Sequence, residues 1–132
     1  MFKKVEAIIR PEKLDIVKNN LENINCKGLT VSNVKGRGKQ LGIVEKYRGN
    51  VYNVDLISKI KLDIITTETE VEKIVDTIKS SAFTGNVGDG KIFISDIEDI
   101  IRIRTGDRGV NAIYALILLF FYRLYFNYMI KK

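Results

Sequence analysis

Histidine is missing from this chain, and cysteine occurs once, at Cys26. The first absence removes the commonest general base and the commonest metal ligand. The second rules out an internal disulfide and fits a reducing, cytosolic compartment, with Cys26 expected as a small core residue rather than a nucleophile. No Cys/His pair, His-based site or metal cluster of recognisable spacing emerges, so no enzyme constellation is expected. Asp96, Glu98 and Asp99 are close in sequence but read as a charged turn. The opening MFKKVEAIIR is too charged, and too short in apolar length, for a signal peptide. Aromatics are scarce in the strand-like runs: 91–97 offers only Phe93 and 29–34 none. A sheet that stacks RNA bases needs them there, so no nucleic-acid partner is expected.

What is present is a single-domain length, 132 residues, with apolar and charged fractions of an ordinary soluble protein. The net charge of +6 points to an anionic ligand or surface, which concerns association rather than fold. Residues 2–10 are rich in apolar and β-branched types and read as a strand. Pro11 stands at a plausible first helical position, and Leu14, Val17, Leu21 and Ile24 recur at helical spacing, so 11–25 is expected as a helix ended by Lys27 and Gly28. A second strand is expected at 29–34. From Val54 the alternation is cleaner, with Val54, Leu56, Ser58, Ile60, Leu62 and Ile64 on one face and Asp55, Ile57, Lys59, Lys61, Asp63 and Ile65 on the other. Residues 67–81 read as a helix with Thr67 and Glu70 as a capping box. KIFISDI at 91–97 is a fourth strand, and 100–104 a short fifth with Arg102 and Arg104 on one face. The order strand, helix, strand, strand, helix, strand is an α+β, ferredoxin-like βαββαβ sandwich, with both helices on one face of an antiparallel sheet. Its other face must be covered or polar, and self-association, sheet against sheet, is one way to cover it.

Two stretches do not build core. Residues 36–55, GRGKQLGIVEKYRGNVYNVD, form an expected structureless loop carrying Arg37, Lys39, Lys46, Arg48, Tyr47 and Tyr52. A loop of roughly 20 residues inside a compact domain is uncommon and usually functional or disordered. Tyr and Arg are enriched at interface hot spots, although a solvated loop carries them too. GNVGDGK at 85–91 fits G-x-x-x-x-G-K, yet Ile92 stands where Ser or Thr should bind magnesium, and the segment leads into a strand rather than a helix. It is therefore either a tight glycine turn or an anion cradle in which backbone N–H groups and Lys91 meet a phosphate. Arg102 and Arg104 suit the same anion, or else belong to a solvated face.

The runs VEAIIRPEKL, LTVSNVKGRGKQLGIVEKYRG, TGNVGDGKIF and IRIRTG occur in the order and spacing of the PII nitrogen-regulatory signalling proteins. About residues 1–113 closely resemble that family, with 1–111 as its ferredoxin-like domain. The resemblance implies a homotrimer that binds ATP or ADP in clefts between subunits and, with ATP and Mg²⁺, 2-oxoglutarate. It places Thr30, Gly38, Lys39, Asp63, Gly88, Gly90, Lys91, Arg102 and Arg104 in the nucleotide site. It makes Gln40 the Mg²⁺ ligand, with Gln40, Gly42 and Lys59 around 2-oxoglutarate. Residues 36–55 become the T-loop, with Arg48 at the tip that engages an ammonium transporter and Tyr52 where some relatives carry a nucleotidyl modification. Glutamine synthetase is a second implied partner. Lys39 stands where arginine is common and loses the bidentate fork, and Asp63 stands where glutamate is common. The expected function is nitrogen-status signalling from the cytoplasm without catalysis. A PII-like sensor of another small ligand and a slow ATPase are the alternatives.

The resemblance stops near Ile113. Residues 112–132 form a hydrophobic C-terminal extension holding seven of the twelve Phe and Tyr residues, together with Arg123 and Asn127. Three readings of it stay open: an appendage that packs on the trimer or on a membrane protein, a readthrough tail, and a membrane anchor.

Overall fold

The computed structural model describes residues 1–38, 43–47 and 50–131, with the backbone alone at 43–47, 50–54 and 114–123. Strands β1 (Phe2–Ile9), β2 (Thr30–Gly36), β5 (Ile57–Thr67) and β6 (Lys91–Ile97) form one sheet in the order β2-β5-β1-β6, antiparallel throughout. Helices α1 (Leu14–Asn23) and α2 (Val71–Ala82) cover one face. The expected α+β, ferredoxin-like architecture is the one observed.

The alternation of β5 decides which face is covered. Ile60, Leu62 and Ile64 are buried against Val17, Leu21, Ile74 and Ile78 of the two helices, with Val5, Ala7 and Ile9 of β1 beside them. Cys26 is half-buried against this core, and burial raises its thiol pKa above the ordinary value. The opposite face carries Lys4, Glu6, Lys61 and Asp63, whose charges alternate across β1 and β5 at 3.5–4.0 Å.

Element ends differ from the sequence expectation for local reasons. The first helix opens with a 3-10 turn at Pro11–Lys13 and closes earlier, at Asn23, with Asn25 beyond it at a φ of 66° in the left-handed region. Cys26 N–H then bonds to Leu21 O at 2.9 Å and Asn25 N–H to Glu22 O at 2.9 Å, so the helix is finished before Gly28 is reached. Thr67 makes no capping bond, because a 3-10 turn at Glu68–Glu70 intervenes before α2. The fifth strand at 100–104 does not form. Ile101 makes one bridge to Arg108 and 103–105 is a turn, closed by Gly106 N–H on Arg102 O at 2.8 Å.

Within 36–55, the described residues include strands rather than a structureless loop. Strands β3 (Ile43–Tyr47) and β4 (Asn50–Val54) pair as an antiparallel hairpin, in register from Ile43↔Val54 to Tyr47↔Asn50. The β-branched residues Ile43, Val44, Val51 and Val54 supply the strand preference that glycines and charges mask in the sequence. The last element, α3 (Val110–Ile130), continues from the body through a buried Ala112. Among the described residues no helix is long and apolar enough to cross a membrane.

Leu62 is fully buried at the centre of the sheet. Leu62→Ala should lower unfolding stability by about 2–5 kcal/mol, read as a reduced denaturant midpoint at unchanged slope.

Candidate ligand-binding site

The site grows from the junction of β1 and β6. Lys91, the first residue of β6, pairs with Ile8 near the end of β1. Immediately before it, Gly90 passes so close that a Cβ there would lie 1.7 Å from the Ile8 carbonyl oxygen, and its φ is +106°. Only glycine fits that approach. Gly88, at φ 105°, makes the preceding reversal.

Between these glycines, Asp89 folds back into its own turn. Its carboxylate accepts from Thr84 N–H at 2.9 Å, Gly85 N–H at 3.0 Å, the Thr84 hydroxyl and Arg10 Nε at 3.3 Å. Arg10 also donates from Nη2 to Val87 O at 2.8 Å. The Thr84 hydroxyl and N–H, then the Gly85 N–H and Arg10, hold the Asp89 carboxyl well below the usual carboxylate range. Lys59 reaches from β5 and donates to Gly88 O at 2.6 Å. Burial, and then the Arg10 cation, lower its pKa from the ordinary lysine value.

A cavity of 510 Å³ opens beside this loop, walled by 86–91 on one side and Gly36, Arg37 and Gly38 on the other, with Ile8, Lys59 and Phe93 completing it. The Arg37 guanidinium meets Asp55 at 3.1 Å and ties the two ends of the 36–55 segment together. A second cavity of 380 Å³ lies behind Gly90, lined largely by apolar groups of α2 and the sheet such as Val75, Ile78 and Phe83. The first is the better ligand site, because backbone amides at glycines converge there with Arg37, Lys59 and Lys91. Among the described lining residues its one carboxylate, Asp89, is already engaged by four donors. Such a cavity suits an anion. It would take a divalent cation only together with the anion's own oxygens. Among the described residues no group of three acidic or cysteine side chains could hold a metal.

The expected site residues therefore fall into separate groups. Gly38, Lys59, Gly88, Gly90 and Lys91 share the cavity. Thr30 and Asp63 are cross-strand partners on the open sheet face and do not line it. Asp63 sits 3.6 Å from Lys4 Nζ and 4.0 Å from Lys61 Nζ, and its Oδ1 is buried without a hydrogen-bond partner among the described residues. Arg102 lies beside the start of α3, donating to Ala112 O at 2.6 Å, with its Nε buried and unpartnered among the described residues. Arg104 is exposed in the following turn. Lys39, Gln40, Gly42 and Arg48 lie outside the described residues, as does the side chain of Tyr52. Sequence reasoning missed Asp89 and Arg10. The first had a signal, since an Asp flanked by glycines commonly binds local backbone N–H groups. The second had none before the strand order was known.

The sequence matches the family model described as "Nitrogen regulatory protein P-II" over residues 2–107. It is 53% identical over 112 residues to nitrogen regulatory protein P-II 2 of Methanothermobacter thermautotrophicus, covering 85% of this chain and 97% of that one. It is 51% identical over 112 residues to nitrogen regulatory protein P-II of Synechocystis sp., covering 85% of this chain and all of that one. Among solved structures it resembles Arabidopsis thaliana PII bound to citrate, with a TM-score of 0.69, 39% identity, and coverage of 84% of this chain and 88% of that one.

Asp89 also supplies a pH test. Its folded pKa is depressed, so its stabilising contribution is present above the ordinary carboxylate pKa and is lost only as pH falls through the lower folded value. Asp89→Asn should be less stable than the parent at neutral pH. The gap should stay constant down to the ordinary carboxylate range and narrow below it, as followed by denaturant unfolding across pH.

Proposed function

We propose a nitrogen-status sensor that reports through its 36–55 hairpin, starting from the premise that the chain belongs to the nitrogen regulatory protein P-II family. That is a signalling family rather than one of enzymes, and it acts through partner proteins. The observation that carries the finer reading is the shared cavity, in which one wall is the glycine loop and the other is the neck of the hairpin.

In the proposed site, Gly88, Gly90 and Lys91 receive the phosphates of ATP or ADP. Glycine backbone admits close approach there, and Lys91 supplies a point charge. Lys59 exchanges its bond to Gly88 O for a carboxylate of 2-oxoglutarate. Gln40 and Gly42, two and four residues beyond Gly38, hold the remaining oxygens. Mg²⁺, bound to the nucleotide's phosphates and Gln40, neutralises charge between the two anions. That the related plant protein is described as bound to citrate, a polycarboxylate, favours a carboxylate effector of this kind.

Thr30, Asp63, Arg102 and Arg104 then complete the nucleotide site from the neighbouring subunit of a homotrimer. Their absence from the cavity's lining supports this, as do Asp63 Oδ1 and Arg102 Nε, buried without a hydrogen-bond partner among the described residues, since buried polar atoms are normally satisfied. Ligand occupancy resets the neck, and the hairpin, with Arg48 between its paired ends and Tyr52 on β4, presents or withdraws itself from an ammonium transporter or glutamine synthetase.

Calorimetry with ATP, ADP and 2-oxoglutarate, with and without Mg²⁺, tests this reading. Lys91→Ala should weaken ATP binding by about tenfold or more, the loss of one charge-assisted contact. Gln40→Ala should abolish 2-oxoglutarate binding and largely spare ATP. Unchanged 2-oxoglutarate affinity in that variant, or no heat from either nucleotide in the parent, would overturn the assignment.

A further inference from the structure

Helix α3 lies wholly beyond the 2–107 span that matches the family, and the nucleotide reading does not use it. Its 21 residues span about 32 Å, against roughly 30 Å for the hydrocarbon core of a bilayer. Its first turn is tied to the body through buried Ala112 and the bond from Arg102. Among the described residues no sheet or helix element packs extensively along the rest. Leu124, Tyr125, Met129 and Ile130 are each more than half exposed. At 100° per residue these four positions are spread around the helix rather than along one stripe.

That distribution constrains the occupant. A single protein neighbour, or a bundle of α3 copies, covers one side and leaves apolar surface in water on the other. Lipid surrounds a helix completely. Charge points the same way. Residues 110–132 contain no Asp or Glu, while Arg123, Lys131 and Lys132 are cationic. Copies bundled side by side would bring these cations together, whereas anionic headgroups neutralise them. Seven of the chain's twelve Phe and Tyr residues fall in 112–130, the residue types that seat helices at the edge of a bilayer. The described side chains alone do not amount to a spanning helix, and the apolar run is completed in the sequence by YALILLFFYR at 114–123.

We infer that α3 inserts into a lipid bilayer carrying anionic headgroups and so holds the sensor body at a membrane surface independently of any protein partner. The test is flotation of the full-length protein, without nucleotide, on phosphatidylcholine vesicles with and without about a third phosphatidylglycerol. The parent should float with the anionic vesicles, and less with the neutral ones. Leu124→Asp with Met129→Asp should cut the floated fraction at least about tenfold, because carboxylates in the apolar run are costly to insert. Lys131→Glu with Lys132→Glu, at the far end from the folded body, should remove the preference for anionic vesicles. A parent that stays unbound overturns the inference. So does a parent that forms a larger soluble oligomer through α3 and ignores vesicles, or one whose flotation is unaffected by both double variants.

Discussion

The contact on which the site depends is a backbone one: Gly90 against the carbonyl of Ile8. Because no side chain stands between them, β6 enters the sheet directly beside the end of β1, and Lys91 becomes its first paired residue. The turn before it is then forced into positive φ at both Gly88 and Gly90. Asp89 occupies the point between, where its oxygens can collect the N–H groups of Thr84 and Gly85. Arg10, leaving β1 two residues after Ile8, clamps the outside of the turn through Asp89 and the Val87 carbonyl. A residue with a Cβ at position 90 would displace all of these together.

The same contact sets how binding could be felt elsewhere. Holding 86–91 against β1 leaves the opposite wall of the cavity to residues 36–38, which are also the stem of the β3–β4 hairpin. The stem's own closure is the Arg37–Asp55 pair, with both side chains more than two-thirds exposed. Exposed pairs of this type contribute about 0–1 kcal/mol. A weakly closed stem next to a rigid loop is the arrangement in which a modest difference in ligand contacts shifts a population. A two-stranded hairpin is itself marginal without support. Under the proposed function, the hairpin's orientation would follow what fills the cavity at its base.

The architecture was legible wherever one periodicity dominated. Ile60, Leu62 and Ile64 in β5, and Val71, Ile74 and Ile78 in α2, announce their faces, and KIFISDI starts and ends where its alternation does. Boundaries were less legible, because Asn25, a permissible left-handed residue, ends α1 before the expected glycine. At 100–104 the alternating IRIR pattern imitates a strand. The side-chain bond from Arg102 to the start of α3 and the turn onto Asp107 use those residues otherwise. Within the site, Lys59, Lys91 and the glycines could be nominated from composition and resemblance. Arg10 could not, since its role exists only because β1 and β6 are neighbours, a fact of long-range pairing that no local pattern encodes.

The open sheet face bears on the trimer proposed above. Lys4, Glu6, Lys61 and Asp63 alternate in sign, sum to zero and are each only a fifth to a third exposed. In contact with water, pairs at 3.5–4.0 Å contribute little. Their neutral sum matters more, because a face with a net charge would repel an identical copy, whereas an alternating one can approach it without accumulating like charge. Covering the quartet would cost desolvation, and that cost is recovered only where each polar atom finds a partner. Asp63 Oδ1, buried, 3.6 Å from Lys4 Nζ and without a hydrogen-bond partner among the described residues, is the atom for which an adjoining subunit would make the difference.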